Sequence, residues 1–198
     1  MISTRRPEYP IHPLFINRWS PRAFTNEAIP EAALLTLLEA ARWAPSSYNA
    51  QPWRFIYALR DTEDWQPIFD ALVEFNQGWA KRAAALVVVA SARESERADG
   101  AGRESNPWHS FDAGAAWASL AFQATLSGLA AHAMAGFDPD RLRQATGLPE
   151  GYAIEAVVAV GRRDDKDVLD EDLQAMEFPN ERLPLAGIAM KGRFLPQA

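Results

Sequence analysis

Leu86-Val87-Val88-Val89-Ala90 is a continuous apolar run, mostly β-branched. It offers solvent no polar side chain, so it suits a strand covered on both faces rather than one lying at a surface. The shorter stretch Arg54-Phe55-Ile56-Tyr57-Ala58 alternates and reads as a second strand of the same sheet. Between them, residues 64–81 place Trp65, Ile68, Phe69, Leu72, Val73 and Phe75 at a spacing that predicts one helix with a single apolar face. Upstream, Pro30 stands where a first helical turn tolerates it, and EAALLTLLEAARW keeps helical spacing until Pro45, which predicts a buried helix over 31–43.

Downstream of the apolar run, residues 93–106 are charged and glycine-containing without apolar period, the composition of a surface loop or lid. FDAGAAWASLAFQATLSGL, 111–129, is rich in small residues, predicting a central helix that can be approached closely on several sides and that ends at Gly128. Asp138 opens a short helix over 139–146, and 152–160 reads as another strand ending at Gly161. A charged stretch follows over 162–172. Residues 185–195 alternate weakly, with no helix after them to cover a strand, and so are suited to pairing with another subunit. Helices and strands mix without regular βαβ alternation, which makes the fold class α+β, in one domain spanning 1–198.

Composition narrows the chemistry. The 198 residues carry 20 basic and 26 acidic side chains, a net charge of −6 that opposes binding to nucleic acid or an anionic membrane surface. There is no cysteine, so disulfides, thiolate nucleophiles and iron–sulfur ligation are excluded, and redox work needs a borrowed cofactor. His12, His109 and His132 are scattered, without metal-ligand spacing. No GxSxG elbow, phosphate-binding GxxxxGK[ST] or strand-following GxGxxG is present. The N-terminal MISTRRPEYPIHPLF lacks an apolar leader pattern, and a soluble cytoplasmic location is expected.

Two polar clusters remain. In Asn17-Arg18-Trp19-Ser20-Pro21-Arg22, the arginines and serine alternate, so in extended chain they share one side. That side suits either a solvated arm or the oxygens of a monophosphate, for which guanidinium is a planar fork. Pro45-Ser46-Ser47-Tyr48-Asn49-Ala50-Gln51-Pro52 sets two hydroxyls and two amides between prolines, which is either a helix stop or a rigid donor loop.

RWSPRAF followed by APSSYNAQPWRF resembles the N-terminal signature of the nitroreductase family. The likeness continues in order through FNQGWAKRAAALVVVA, DAGAAWASLAFQATLSGLAAHAMAGFDPDRLR and PNERLPLAGIAMKGRF, and thins over 93–106 and 162–178. The resemblance implies a central mixed, mainly antiparallel sheet flanked by helices, with an arm over 180–198 exchanged in a homodimer; the charged loop or lid, read from composition, spans about 92–108. It also implies FMN as cofactor and NAD(P)H as co-substrate, with FMN held at the interface.

Carried over, the resemblance implies that Arg18 and Ser20 hold the FMN phosphate and Arg22 lies beside the pyrimidine edge of the ring, with Trp19 in the same arm. Pro45, Ser46, Ser47, Asn49 and Gln51 match the loop that reaches the flavin from the other subunit. Asn76 matches an asparagine near the flavin, whereas the neighbouring Trp79 is read as core. Met134, Ala135 and Gly136 match the backbone segment along the ring, the Ala135 amide lying at N5, and many relatives have glutamate at the Ala135 position. Arg182 matches an arginine that finishes the phosphate site, where Asn180 replaces a lysine of some relatives. The implied reaction is ping-pong hydride transfer from NAD(P)H through N5 to a small acceptor such as a nitroaromatic, quinone or enal. A family member that consumes the flavin and a non-enzymatic FMN-storage protein are the alternatives. Trp108 and Phe111 are candidates for lining the acceptor pocket or for core packing.

Overall fold

The computed structural model of the chain describes residues 5–97 and 99–194. The first four residues of the N-terminal stretch, residue 98 of the charged loop and residues 195–198 of the expected arm lie outside the described residues.

The run at 86–90 lies inside β2 (Ala85–Ala92), and all eight of its residues are buried. It pairs antiparallel with β1 (Trp53–Leu59) on one side and β6 (Tyr152–Gly161) on the other, and β6 pairs antiparallel with β5 (Ala130–Met134). The sheet order is β1-β2-β6-β5, every pairing antiparallel, so β1 and β5 are its two edges.

Alternation along β2 divides the core as a pleat must. Leu86 and Val88 face one cluster, with Trp65 and Ile68 of α3 (Trp65–Asp70), Trp79 of α4 (Glu74–Ala80) and Leu142 of α6 (Pro139–Thr146). Ala85, Val87 and Val89 face the other, with Leu34, Leu37 and Ala41 of α2 (Glu31–Arg42) and Ala113, Ala116, Leu120 and Ala124 of α5 (His109–Leu126). The expectation of cover on both faces holds. The small side chains of α5 let it lie between the sheet and α2, while Phe122 on its outer side meets Phe15 of α1 (Pro13–Asn17) edge-on at 4.9 Å. Gly128 ends α5 as expected, taking a left-handed φ of 70° while Leu129 N–H returns to the Ala124 carbonyl. Asp138 opens α6 as expected, its Oδ1 accepting from the Asp140 and Arg141 amides at 3.0 Å each.

Two readings between residues 64 and 106 are corrected. Residues 64–81 form two helices, not one. The break falls at Leu72, which bridges Phe137, and at Val73, whose amide donates to the Gly136 carbonyl. This tertiary pairing outcompetes helical propagation and turns Val73 and Phe75 outward, where both are exposed. The charged stretch 93–106 is not irregular throughout. It holds the hairpin β3 (Glu94–Glu96) and β4 (Arg103–Ser105), laced by ion pairs from Arg97 to Asp99 and Glu104 and from Arg103 to Glu94. Opposite charges across the strands supply what an apolar pattern did not. At the irregular register between Val89 and Ala90, Glu155 of β6 accepts from Ser91 of β2 and Ser110 of α5, which ties the start of α5 to the sheet.

After β6 the chain makes a 3-10 turn, Lys166–Val168, and a short α7 (Glu171–Gln174), then runs to Phe194 with a second 3-10 turn, Leu185–Gly187, in place of the weak alternation of 185–194. Leu183, Ile188 and Phe194 are exposed there. No helix among the described residues is long and apolar enough to cross a membrane.

Candidate functional site

The arm 17–24 runs along the β5 side of the sheet. Phe24 makes an antiparallel bridge to Arg163, just beyond β6, and the Pro21 carbonyl accepts from Nδ1–H of His132 on β5 at 3.0 Å. Trp19 sits under the Arg163 guanidinium, 5.9 Å from the ring centroid. Arg18 Nη1 donates to Ser20 Oγ at 3.4 Å, so two of the expected phosphate ligands are adjacent.

Arg18 does not stand alone. Burial and the neighbouring guanidinium groups of Arg182 and Arg5 hold it below the usual arginine value. Arg5 is likewise lowered, by burial and by Arg182, with partial relief from Glu181. Arg5 and Arg18, both lowered in the field of Arg182, form with it a cluster of positive charge that an anion would complete. Arg5 Nη1 also donates to the carbonyls of Ile16 and Arg18, which fixes the arm. Arg182 Nη1 bonds its own segment, at the Asn180 and Glu181 carbonyls. A groove of about 320 Å³ opens beside them, lined by Arg5, Glu8, Phe15, Arg182 and Leu185 among others.

Arg22 is held from below by Glu177. Glu177 Oε1 accepts from the amides of Arg22 and Ala23 at 2.8 and 2.9 Å, and its Oε2 lies 3.9 Å from Arg22 Nη1. His132 packs on Trp79, ring centroids 4.6 Å apart. Its pKa is pushed down to about 4 by burial first, with Arg22 and Arg18 adding repulsion against the Pro21 carbonyl's opposite effect. A neutral imidazole therefore pins the arm to β5. Trp79 is core, as expected, with Phe24 stacked on it and His132 tilted against it.

Two residues past His132, Met134 is buried and Ala135 is exposed as the chain leaves β5. Asn76 Nδ2 donates to the Gly136 carbonyl at 2.9 Å. A Cβ on Gly136 would lie 2.7 Å from that same nitrogen and 2.9 Å from Val73 Cγ2, so the latch requires glycine. Arg18, Ser20, Arg22, Arg182, Asn76, Met134, Ala135 and Gly136 thus gather along one edge of the sheet.

Pro45, Ser46, Ser47, Asn49 and Gln51 do not join them. Their loop leads into β1, the opposite edge strand. It is built stiffly: the Ser47 amide donates to both oxygens of Asp112 at 3.3 and 3.2 Å, the Gln51 amide donates to Ser46 Oγ at 3.1 Å, and Tyr48, Asn49 and Gln51 all have left-handed φ. Tyr48 is fully exposed. Trp108 and Phe111 are exposed beside this loop, which removes the core-packing alternative for both. Trp108 lines a groove of about 830 Å³ with Ser47, Asn49, Gln51 and the β3–β4 hairpin.

Arg5, Asp112, His132 and Glu177 are the site neighbours that sequence reasoning missed. Arg5 belongs to a visible two-arginine stretch, whereas the other three acquire meaning only through contacts 65 to 155 positions away. Among the described residues no group of three or more histidine, aspartate or glutamate side chains could hold a metal.

Comparison with known proteins gives this geometry a context. A protein from Thermus thermophilus named NADH dehydrogenase is 30% identical, covering 88% of this chain and 92% of its own length. A solved oxidoreductase containing FMN is 48% identical over 98% of both chains, with a TM-score of 0.95. A protein from Desulfovibrio desulfuricans solved in complex with FMN is 25% identical, covers 96% of this chain and 100% of its own, and has a TM-score of 0.71. The model of the nitroreductase family matches residues 16–162, about three quarters of the sequence and the whole four-stranded sheet with its arm, and the chain belongs to that family.

Proposed function

We propose that the chain is an FMN-dependent oxidoreductase that draws electrons from NADH or NADPH and works as a homodimer. The observation that carries this reading is the cluster of Arg5, Arg18 and Arg182 at the β5 edge, a cationic cradle suited to a monophosphate. Its neighbours suit the rest of FMN. Arg22, like Arg18, repels the proton of His132, two residues before Met134, so its charge reaches the strand that leads into the 134–136 segment. The Asn76 latch fixes the Gly136 backbone and so presents main chain, not a side chain, to the ring.

FMN held by these residues would supply ping-pong hydride-transfer chemistry between the nicotinamide and a small acceptor such as a nitroaromatic, quinone or enal. The chain's own residues bind and orient. Arg18, Ser20 and Arg182 hold the phosphate, with Trp19 in the same arm, and the Arg22 guanidinium stabilises negative charge at the pyrimidine edge. No side chain acts as nucleophile.

The second copy is needed because one chain places its donor loop at the wrong edge. Ser46, Ser47, Asn49 and Gln51, behind Pro45, precede β1, while the arginine cradle borders β5, across the sheet. Paired copies can bring the loop of one to the cradle of the other. Exposed Phe15, Leu35, Trp43, Phe111 and Leu126 on the α1–α2–α5 side suit burial in such a pairing. The described part of the arm, 180–194, then crosses to the partner, and the β3–β4 hairpin serves as a lid over the groove that Trp108 lines.

The test is to add FMN, remove the excess and record the visible spectrum anaerobically before and after NADH or NADPH, with the mass in solution measured alongside. Bleaching of a bound yellow chromophore that a quinone or nitroaromatic restores supports the reading. Retained FMN that no nicotinamide bleaches, or an active monomer, overturns the corresponding part.

A further inference from the structure

Glu177 is the buried acid that the reading above leaves without a task. Its side chain is 3% exposed, yet only Oε1 is hydrogen-bonded, to the amides of Arg22 and Ala23. Oε2 is buried with no hydrogen bond, beyond hydrogen-bond reach of Arg22 Nη1 at 3.9 Å but within range of its charge. A carboxylate so placed is stabilised mainly by that guanidinium and by two backbone dipoles. It also lies outside the residues matched by the family model, which end at 162.

The consequence is electrostatic as well as mechanical. The two amide bonds set the backbone at Arg22, so the guanidinium leaves the arm from a fixed point. The carboxylate, meanwhile, offsets part of the positive potential that Arg22 directs outward from its 22% exposed side chain. We propose that Glu177 is a positioning residue that anchors Arg22 and, through its negative charge, holds the two-electron potential of bound FMN lower than Arg22 alone would set it. This rests on the FMN reading above, with Arg22 at the pyrimidine edge.

Glu177→Gln keeps an oxygen acceptor for both amides and removes the charge, so it separates the two effects. With wild-type and variant holoprotein, the midpoint potential of bound FMN is measured by anaerobic dye equilibration, and FMN affinity by fluorescence quenching. The variant is expected to favour the reduced over the oxidised cofactor by about tenfold more than wild type, a rise of roughly 30 mV for a two-electron couple. An unchanged or lowered midpoint overturns the proposal. If Glu177→Gln does not fold, Glu177→Asp draws the carboxylate back by one methylene, and its midpoint is expected to rise by a smaller amount; no rise there overturns the proposal equally. A wild-type protein that binds no FMN refutes the reading of the site, a different result from a flavoprotein whose potential ignores position 177.

Discussion

Replacing Arg18 by methionine separates what this side chain does for the cofactor from what it does for the fold. Methionine keeps most of the aliphatic stem that lies along the arm and discards the guanidinium. In the protein without ligand, that guanidinium is repelled by Arg182 and Arg5 and gains one long contact with Ser20. Half of the group is shielded and half is screened by water, so relief of the repulsion is worth no more than about 1 kcal/mol. On the proposed reading, a phosphate bound here would take charge-assisted hydrogen bonds from the same group, each worth roughly 1.5–3 kcal/mol. The two effects have opposite signs. Arg18→Met should weaken FMN binding roughly 10- to 150-fold while leaving the melting temperature of the ligand-free protein unchanged or slightly raised. FMN fluorescence titration and a thermal melt of stripped protein measure them separately. A dissociation constant within about threefold of wild type would show that the phosphate does not sit on Arg18. A fall of several degrees in the stripped protein would show that Arg18 is structural.

Three further outcomes follow from the geometry. His132 has a folded pKa near 4 against 6.5 when unfolded, so the unfolded chain takes up the proton first and stability falls as pH drops through that window, by up to about 3 kcal/mol; His132→Gln should remove this component, and identical loss of urea resistance between pH 7 and 4.5 in both proteins would refute it. Gly136→Ala must displace Asn76 or Val73, costing about 2 kcal/mol and lowering the melting temperature by roughly 4–8 °C, together with weaker FMN binding; a neutral substitution would show that the latch yields freely. Asp112→Ala leaves the Ser47 amide without its acceptor, so hydrogen exchange at Ser47 should quicken by roughly tenfold or more, whereas unaltered exchange would place the loop's stiffness elsewhere.

Much of the fold could be read from residue order because its decisive signals are local. The β-branched run announced a strand with cover on both faces, Pro30 and Pro45 bounded α2, and Asp138 before Pro139 opened α6. What escaped was decided by partners distant in the chain. Nothing near Leu72 announces a helix break, since apolar spacing continues to Phe75; the Gly136–Phe137 segment imposes it. The hairpin at 94–105 is held by charges that read as solvated until their partners are seen across the turn. The same division runs through the site. Arg18, Ser20 and Arg22 were legible from alternation and likeness, whereas Asp112, His132 and Glu177 were ordinary polar residues until the arm and loop were laid against them.

The left-handed backbone at Tyr48, Asn49 and Gln51 carries a consequence for how this sequence can change. Asparagine tolerates that conformation, but tyrosine and glutamine are strained in it, at a cost on the order of 1 kcal/mol or more each. Glycine at 48 or 51 would relax the strain and also loosen the loop. A laboratory selection for heat tolerance alone should therefore arrive at these positions early and enrich variants that survive heating with a blunted donor loop, while a selection that alternates heat with turnover should leave them untouched and find its gains in the exposed hairpin. The two lineages would diverge first at residues that contribute almost nothing to the core.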